Sequence, residues 1–302
     1  MIPLRKFSGA MPFFVAAFLN AFVDLGHKIV IQNTVYKLYD GPEQVILTAI
    51  VNGLILLPFL FLLSPAGFLS DKFYKSRVMQ MSAWAAVVLT LLITLFYYMG
   101  QFYLAFAMTF LLAAQSAIYS PAKYGYIKEL FGKQRLSEAN GVVSALSITA
   151  ILAGSFAYTI GFELLYPKGA IDEADVITAI APIGWLLVIN SIIELVMMYR
   201  LPDVGEVNPK ATFNKKAFFT GKLFIEDLKP LGHARAIWLS VLGLAMFWSI
   251  GQVLLAAFPS FLKATTGELN TLKVQGVLAC IGVGIAIGLS LIHISEPTRR
   301  HL

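Results

Sequence analysis

Four polar residues in the first long apolar segment, Asn20, Asp24, Lys28 and Gln32, are spaced four positions apart. In a helix this spacing places them on one face, with His27 beside them. Charged side chains inside a membrane helix cost about 2.5–3.5 kcal/mol each, so they normally face a water-filled cavity or a partner. The stripe predicts a pathway that binds a charged headgroup or a coupling ion. The structural alternative is that Asp24 and Lys28 neutralise each other and that His27 is a packing histidine rather than a proton carrier.

Two uncharged polar residues, Asn52 and Gln115, lie in the middle of other apolar segments. Each is a candidate for the same pathway or for a hydrogen bond between helices. Two acidic residues, Glu163 and Glu194, lie near the ends of their segments. Both are expected to reach the membrane interface and to have little functional weight.

The segments that hold these residues are long enough to cross a membrane, which takes about 20 apolar residues in a helix. Hydrophobic residues make up 58% of the chain and the mean hydropathy is +0.75, whereas soluble domains are about 45–50% apolar. Uninterrupted apolar runs satisfy their backbone in lipid as helices, so the sequence predicts an all-α membrane protein with about eight spans. The predicted spans are 11–35, 45–65, 78–99, 102–120, 139–165, 177–199 and 237–261, and an eighth begins near Lys273.

Lysine and arginine fall mainly in every second gap between these spans. The intervening gaps hold Lys37, Lys168, Lys263 and Lys273. By the positive-inside rule, this bias predicts a cytoplasmic N-terminus. The net charge of +6 then reflects topology and a match to anionic inner-leaflet lipid. No basic stretch is interleaved with aromatic residues, so nucleic acid is not an expected partner.

The order of the spans predicts two unequal parts. Six spans lie within residues 1–200, a charged linker covers 201–236, and spans resume in 237–288. This is the layout of a transporter with two six-helix halves, with the first half complete and the second begun. In the linker, residues 222–228 are either a short amphipathic helix at the membrane surface or a solvated chain. Pro58 and Pro182 are expected to bend the second and sixth helices.

The last residues differ in character from the rest. Residues 289–299 resemble a translated sequencing adapter. We therefore expect the natural sequence to stop near Gly288 and residues 289–302 to be a non-native tail. His293 and His301 then have no functional role.

The gap between the second and third spans is rich in charge. It reads Gly67-Phe-Leu-Ser-Asp71-Lys72-Phe-Tyr-Lys75-Ser-Arg77. This run resembles the signature loop of the major facilitator superfamily, Gly-x-Leu-Ala-Asp-Arg-x-Gly-Arg-Lys, with a tyrosine in place of the second glycine. A carboxylate beside several cations at helix ends can form a charge network between helices. Such a network would act as a conformational gate on the cytoplasmic side; the alternative is an ordinary positive-inside loop.

The region after the fourth span carries a more specific resemblance. It reads Ser-Pro-Ala-Lys123-Tyr124-Gly over 120–125 and Ala-Asn140-Gly over 139–141. Both runs resemble the lysophospholipid transporter branch of that superfamily, and the polar stripe of the first helix is similar to the same branch. Lys123, Tyr124 and Asn140 are thereby candidates for headgroup contact. Lys123 and Tyr124 are equally open to a role as interfacial anchors.

The resemblance implies a secondary transporter that moves lysophospholipids to the cytoplasmic leaflet of the bacterial inner membrane for re-acylation. It implies alternating access, surrounding membrane lipids, and an acyltransferase or acyl-ACP ligase as a partner or fused domain. The sequence itself has no phosphate-binding loop, metal-ligand cluster or acyltransferase pattern, so we expect no enzyme activity, cofactor or metal. Two alternatives stay open. One is proton-coupled efflux of amphipathic compounds with Asp24 and His27 as proton sites, and the other is a membrane scaffold for a lipid-synthesis enzyme.

Overall fold

Each apolar stretch forms a helix, because only a helix satisfies the backbone of a single segment in lipid. The structure, a computed structural model, describes residues 3–167, 169, 172–232, 235–280 and 284. Residues 271–280 are helical. The longer helical elements before them are α1 (Ala10–Leu38), α2 (Gly41–Phe61), α3 (Leu63–Lys72), α4 (Lys75–Tyr98), α5 (Phe102–Phe131), α6 (Leu136–Leu165), α7 (Glu173–Ala179), α8 (Ile183–Met198), α9 (Lys215–Phe219), α10 (Lys222–Gly232) and α11 (Arg235–Thr266).

Six of the described helices, α1, α2, α4, α5, α6 and α11, are long and apolar enough to span a membrane. The pair α7 and α8 adds a seventh if it counts as one span bent by 54°. Pro182 lies at this bend, as predicted, because proline cannot continue the hydrogen-bond ladder of a helix. The prediction of an all-α membrane protein is confirmed. Most of the predicted eighth span beyond residue 280, and the predicted tail 289–302, lie outside the described residues.

Helix α1 lies at the centre of the bundle and packs against α5, α6 and α8. Helix α4 packs against α5 and α8, and α2 packs against α5 and α11. One buried apolar cluster, with Val30 and Tyr97, lies toward the turn between α1 and α2. A second, with Phe13 and Tyr126, lies toward the turn between α3 and α4. We call the end of the bundle that holds the first cluster the α1–α2 end, and the end that holds the second cluster the α3–α4 end.

The predicted gap after residue 120 is wrong, because α5 continues through it. The helix runs from Phe102 to Phe131 with Pro121 inside. A proline removes one backbone hydrogen bond, which a helix tolerates where packing holds both sides. Ala122, Tyr126 and Ile127 keep the inner face of α5 buried beyond the proline. The Pro-Ala-Lys-Tyr-Gly run is therefore part of a membrane helix and not a loop.

The predicted gate loop, residues 67–77, is also mostly helical. Gly67, Asp71 and Lys72 lie in α3, and Lys75 begins α4. The turn between them consists of Phe73 (φ −116°, ψ 161°) and Tyr74 (φ −54°, ψ 132°). Both residues are extended with negative φ, so a tyrosine replaces the expected glycine without backbone strain.

The linker contains helices and is not a wholly solvated chain. Residues 201–214 are irregular, and α9 and α10 follow. The predicted short helix at 222–228 is present as α10, Lys222–Gly232. The Phe213 ring lies 5.2 Å from that of Phe68 on α3, so the linker contacts the α3–α4 end.

Candidate functional site

The polar stripe of α1 divides between two environments. Asp24 accepts a hydrogen bond from Ser116 Oγ of α5 at 2.5 Å. Lys28 makes no ion pair or hydrogen bond with another described residue and lines a cavity instead. The structural alternative, in which Asp24 pairs with Lys28, does not describe this arrangement, because the Asp24 carboxylate is bound to Ser116 while the Lys28 side chain faces the cavity.

The cavity beside Lys28 has a volume of about 940 Å³. It lies between α1, α2 and α6 on one side and α11 and residues 271–280 on the other. Its walls are mainly apolar, with Leu25, Ile29, Leu152, Phe247, Trp248 and Leu278 among them. Its polar lining includes Lys28, Gln32 and Gln44. Trp248 therefore lines the cavity, although its type and place in the sequence suggest packing.

Gln44 is a contact that the sequence did not reveal, because it precedes the apolar stretch predicted for α2. It is 1% exposed and its Oε1 has no hydrogen-bond partner among the described residues. Gln32 Nε2 donates to Asn52 Oδ1 at 3.2 Å and so joins α1 to α2 at the cavity. Asn52 Nδ2 has no hydrogen-bond partner among the described residues. The bond between Gln32 and Asn52 is the hydrogen bond between helices that was one of the two predictions for Asn52.

His27 points away from the cavity and is 1% exposed. Its Nδ1 lies 2.7 Å from the hydroxyl of Tyr97, and its Nε2 lies 3.0 Å from the carbonyl of Ala105. A carbonyl only accepts, so we assign the ring proton to Nε2. Thr109 Oγ1 also approaches Nε2 at 3.2 Å. With protein partners on both nitrogens, His27 has the geometry of a packing histidine.

The three candidates from the branch-like motifs lie in different places. Lys123 is 9% exposed, and its Nζ lies 5.5 Å from the centre of the Tyr119 ring and 4.9 Å from that of Tyr124. It faces the bundle interior and does not extend to the interface. Tyr124 is 52% exposed on the outer surface. Asn140 is half-buried near the start of α6, away from the residues that line the cavity.

Glu194 is the residue that the sequence interpretation placed wrongly. It is completely buried on α8 and does not reach the interface. Its carboxylate lies beside Asn20 and within electrostatic range of Asp24 and Lys123. Gln115, a candidate on α5, has its side-chain amide 3.0 Å from Ser116 Oγ and so joins the same region. The missed signal is the spacing of Asn190, Ser191 and Glu194, which places three polar groups on one face of α8.

Charged groups do form a network at the α3–α4 end, but with different acidic members from those expected. Lys75 Nζ lies 2.5 Å from Glu129 Oε1 of α5. Arg77 Nη2 lies 2.9 Å from Asp203 of the linker. The carboxylate of Asp71 takes part in no ion pair among the described residues, because α3 directs it outward. The nitrogen of Lys72 instead lies over the rings of Phe68 and Phe73, with 5.4 Å to the first centroid.

Gly125, in the Pro-Ala-Lys-Tyr-Gly run, allows the first of these ion pairs. A Cβ atom at Gly125 would lie 2.4 Å from Cε of Lys75. The lysine stem therefore crosses α5 where a side chain is missing, and its ammonium reaches Glu129. The described part of the chain contains no cluster of three or more His, Cys, Asp or Glu side chains that could hold a metal ion.

The sequence profile of the Major Facilitator Superfamily matches residues 13–299. The chain belongs to the Major Facilitator Superfamily. It is 28% identical over 279 residues to the Lysophospholipid transporter LplT of Photorhabdus laumondii, an alignment that covers 91% of this chain and 63% of the relative. It is 27% identical over 290 residues to the protein of the same name from Cronobacter sakazakii, which covers 93% and 64%. The predicted resemblance to the lysophospholipid transporter branch is confirmed. The chain spans somewhat less than two thirds of the length of these relatives.

In two-half transporters of the Major Facilitator Superfamily type, the binding site lies between the halves. Here polar contacts join the two sides of the cavity at the α1–α2 end. Lys37 Nζ pairs with Glu163 at 2.8 Å, and Glu163 accepts from the backbone N–H and the hydroxyl of Thr271 at 2.6 Å. Lys263 pairs with Asp40 at 2.8 Å. Glu163 therefore joins α6 to the segment after α11, a role that its place in the sequence did not indicate.

Acidification should release the linker from α4, because Asp203 of the linker is bound to Ser76 and Arg77 of that helix. A hydrogen bond from Ser76 and the charge of Arg77 hold the pKa of Asp203 below its usual value. A carboxyl group with a lowered pKa stabilises the docked state above its free pKa, and this contribution is lost as the pH falls through the lowered value. We expect the linker to be docked at neutral pH and to separate in acid.

Pulsed EPR would measure this release as the distance between spin labels at Glu206 and Lys128, which are both exposed. Asp203→Asn should show the longer distance already at neutral pH. Asp71→Asn is the matched control, since its carboxylate is exposed and unpaired in the described structure, and it should behave as the wild type. A short distance in Asp203→Asn at all pH values would contradict the prediction.

Proposed function

We propose that this chain forms the substrate pathway of a secondary transporter for lysophospholipids. The observation that carries the proposal is Lys28, a cation without an ionic partner in the described structure, at the wall of a largely apolar cavity of about 940 Å³. This volume lies within the range of about 300–1,000 Å³ that is usual for small-molecule sites. A lysophospholipid has one phosphate and one acyl chain, which match one cation and an apolar wall.

Each part of the lipid has a place in this cavity. Lys28 binds the phosphate, because an ammonium group donates charge-assisted hydrogen bonds to it. Gln44 and Gln32 face the same space and offer amide groups to the remaining headgroup atoms. The acyl chain lies against aromatic and aliphatic residues of α6 and α11, such as Phe247 and Trp248. The names of the relatives support the same cargo.

We extend the proposal to direction and mechanism. With the N-terminus in the cytoplasm, as the positive-inside rule predicts, the α1–α2 end faces the outside of the bacterial inner membrane. The contacts of Lys37, Glu163 and Lys263 would then close the cavity outward and break when the halves rock. The network of Lys75, Glu129, Arg77 and Asp203 would act on the cytoplasmic side. The lipid is delivered to the inner leaflet, where an acyltransferase or acyl-ACP ligase re-acylates it.

The two alternatives have less support from the geometry. Proton-coupled efflux of amphipathic compounds has less support, because the ring nitrogens of His27 already have protein partners and because Lys28 would repel any cationic compound. A scaffold would need no ligand-sized cavity with an available charge.

Competition for binding tests the cargo directly. Radiolabelled lysophosphatidylethanolamine is bound to the purified chain in nanodiscs, and three competitors are added in excess. Unlabelled lysophospholipid should displace the label completely. Glycerophosphoethanolamine, which has the headgroup without the acyl chain, should compete at least about tenfold more weakly, because burial of each CH₂ contributes about 0.8 kcal/mol. A cationic amphiphile should compete weakly, because it lacks the phosphate.

Transport is measured separately with the complete reading frame from source DNA, since the chain covers 63% of one relative. Uptake of labelled lysophosphatidylethanolamine into spheroplasts that lack their own transporter is expected. Strong displacement by the cationic amphiphile alone would favour efflux. A folded, inserted protein that neither binds nor takes up the lipid would contradict the proposal.

A further inference from the structure

A second polar cluster lies apart from the lipid cavity, on the inner faces of three helices. Glu194 of α8, Asp24 of α1 and Lys123 of α5 are within electrostatic range of one another. Asn20 of α1 lies beside Glu194, and Ser116 of α5 donates to Asp24. None of these residues lines the cavity, whose lining on α1 begins at Leu25. We call Glu194, Asp24 and Lys123 the buried charge cluster.

Glu194 is the member whose bonding is incomplete. It is 0% exposed, and neither carboxylate oxygen has a hydrogen bond of normal geometry to a described residue. Asp24, in contrast, has its short bond to Ser116. Two other buried groups nearby on α5, Gln115 Nε2 and the hydroxyl of Tyr119, are likewise without partners in the described structure. Buried polar atoms are nearly always satisfied, so a carboxylate without a protein partner inside a membrane bundle is a candidate binding group.

The charges of the cluster do not balance. Two carboxylates and one ammonium leave a net charge of −1 when all are ionised. Helices α4 and α6 also pack near α8, but no charged group of theirs within the described residues acts on Glu194. Tyr119 is near and is neutral as a phenol. An uncompensated buried charge costs several kcal/mol, so the cluster favours one bound monovalent cation.

We propose that the buried charge cluster is a proton-binding site, with the proton carried by Glu194. Protonation converts the carboxylate into a neutral acid, leaves Asp24 paired in charge with Lys123, and brings the cluster to zero net charge. One oxygen of the acid becomes a donor, and the other accepts from the neighbouring amide of Asn20. Sodium fits less well, because the Lys123 ammonium repels it and occupies space that oxygen ligands would need.

The site has a consequence for transport that rests on the proposed function. The cluster and Lys28 share α1, with Asp24 and Lys28 one turn apart. Proton binding at one end of the stripe and lipid binding at the other therefore act on the same helix. Proton binding itself needs no cargo and can be tested without it.

Infrared spectroscopy of the purified chain in nanodiscs tests the site. A protonated carboxyl group gives a C=O stretch above the amide band, and ¹³C-labelled glutamate shifts it if the group is a glutamic acid. At neutral pH the wild type should show one such band that shifts with the label. Glu194→Gln should remove the band, and its similar shape preserves packing. Glu163→Gln is the matched control, since Glu163 is paired with Lys37, and it should retain the band.

The proposal would be overturned by the absence of a band in the wild type, by a band that persists in Glu194→Gln, or by a band that ignores the glutamate label and so belongs to Asp24. Loss of the band when sodium replaces potassium would identify a sodium site instead, and would also overturn it. Size-exclusion profiles show whether each variant is folded. Because lipid binding is measured separately, failure of the proton site leaves the proposed cargo untouched, and the reverse also holds.

Discussion

Lys28→Ala should weaken the binding of lysophosphatidylethanolamine to the purified chain by roughly 10- to 100-fold. A hydrogen bond to a charged group contributes about 1.5–3 kcal/mol, and each 1.4 kcal/mol is a factor of ten in the dissociation constant. The other buried or half-buried lysines near the cavity already have ionic partners. Lys37 is bound to Glu163 and Lys263 to Asp40, whereas Lys28 faces the cavity without one.

The loss of lipid affinity in Lys28→Ala should arise from the missing charge and not from impaired folding. Lys28 is half-buried and has no ionic partner in the described structure, so its removal relieves part of a desolvation cost, and we expect Lys28→Ala to be at least as stable as the wild type. Few substitutions lower the affinity for a ligand and also raise the stability of the protein. This combination distinguishes a lysine that binds the ligand from one that has a structural role. If Lys28 were part of a structural ion pair, Lys28→Ala would lower the stability of the protein.

The measurement is a binding isotherm for each variant in nanodiscs, with a thermal unfolding curve of the same sample. Lys28→Arg should retain most of the affinity, since guanidinium also binds phosphate. Lys133→Ala removes an exposed lysine outside the cavity and is the matched control. If Lys28→Ala binds as tightly as Lys133→Ala, the phosphate does not lie at Lys28 and the proposed orientation of the lipid is wrong.

Gly26→Ala should lower the stability of the bundle. A Cβ atom at Gly26 would lie 2.3 Å from Cε2 of Tyr158 on α6. Tyr158 is 0% exposed, so its ring has no free space to move into. Overpacking of this kind costs about 1–3 kcal/mol, which exceeds the roughly 1 kcal/mol that alanine gains over glycine as a helix former. Helix α6 must shift away from α1, and α6 also lines the cavity.

Thermal unfolding in detergent, followed by fluorescence-detected size exclusion, measures this effect. Gly53→Ala is the matched control on α2, because no atom lies within 4 Å of the added Cβ. We expect its midpoint to equal or exceed that of the wild type, and that of Gly26→Ala to fall below both. Tyr158→Leu in the Gly26→Ala background should recover part of the loss. Equal midpoints for the two alanine variants would show that α1 and α6 do not approach so closely at this position.

The motif between residues 120 and 125 indicated the family correctly, but its position in the structure was predicted wrongly. The pattern indicated the family to which the chain belongs. It was nevertheless placed after the fourth predicted span, which was expected to end at residue 120. The buried side chains of Ala122 and Tyr126 extend the helix. Their burial comes from neighbouring helices and cannot be derived from local propensity.

Periodicity and composition are local properties, and for this reason the sequence alone determined the membrane class, the approximate first residues of the long apolar helices, and the shared face of Asp24 and Lys28. The partner of each polar group is decided by helices that are distant in the chain. Ser116 reaches Asp24 from 92 residues away, and Glu129 reaches Lys75 from 54 residues away. Tertiary packing alone therefore separated Asp24 from Lys28, left Lys28 facing a cavity, and buried Glu194, because in lipid a charged group must face either protein or an opening.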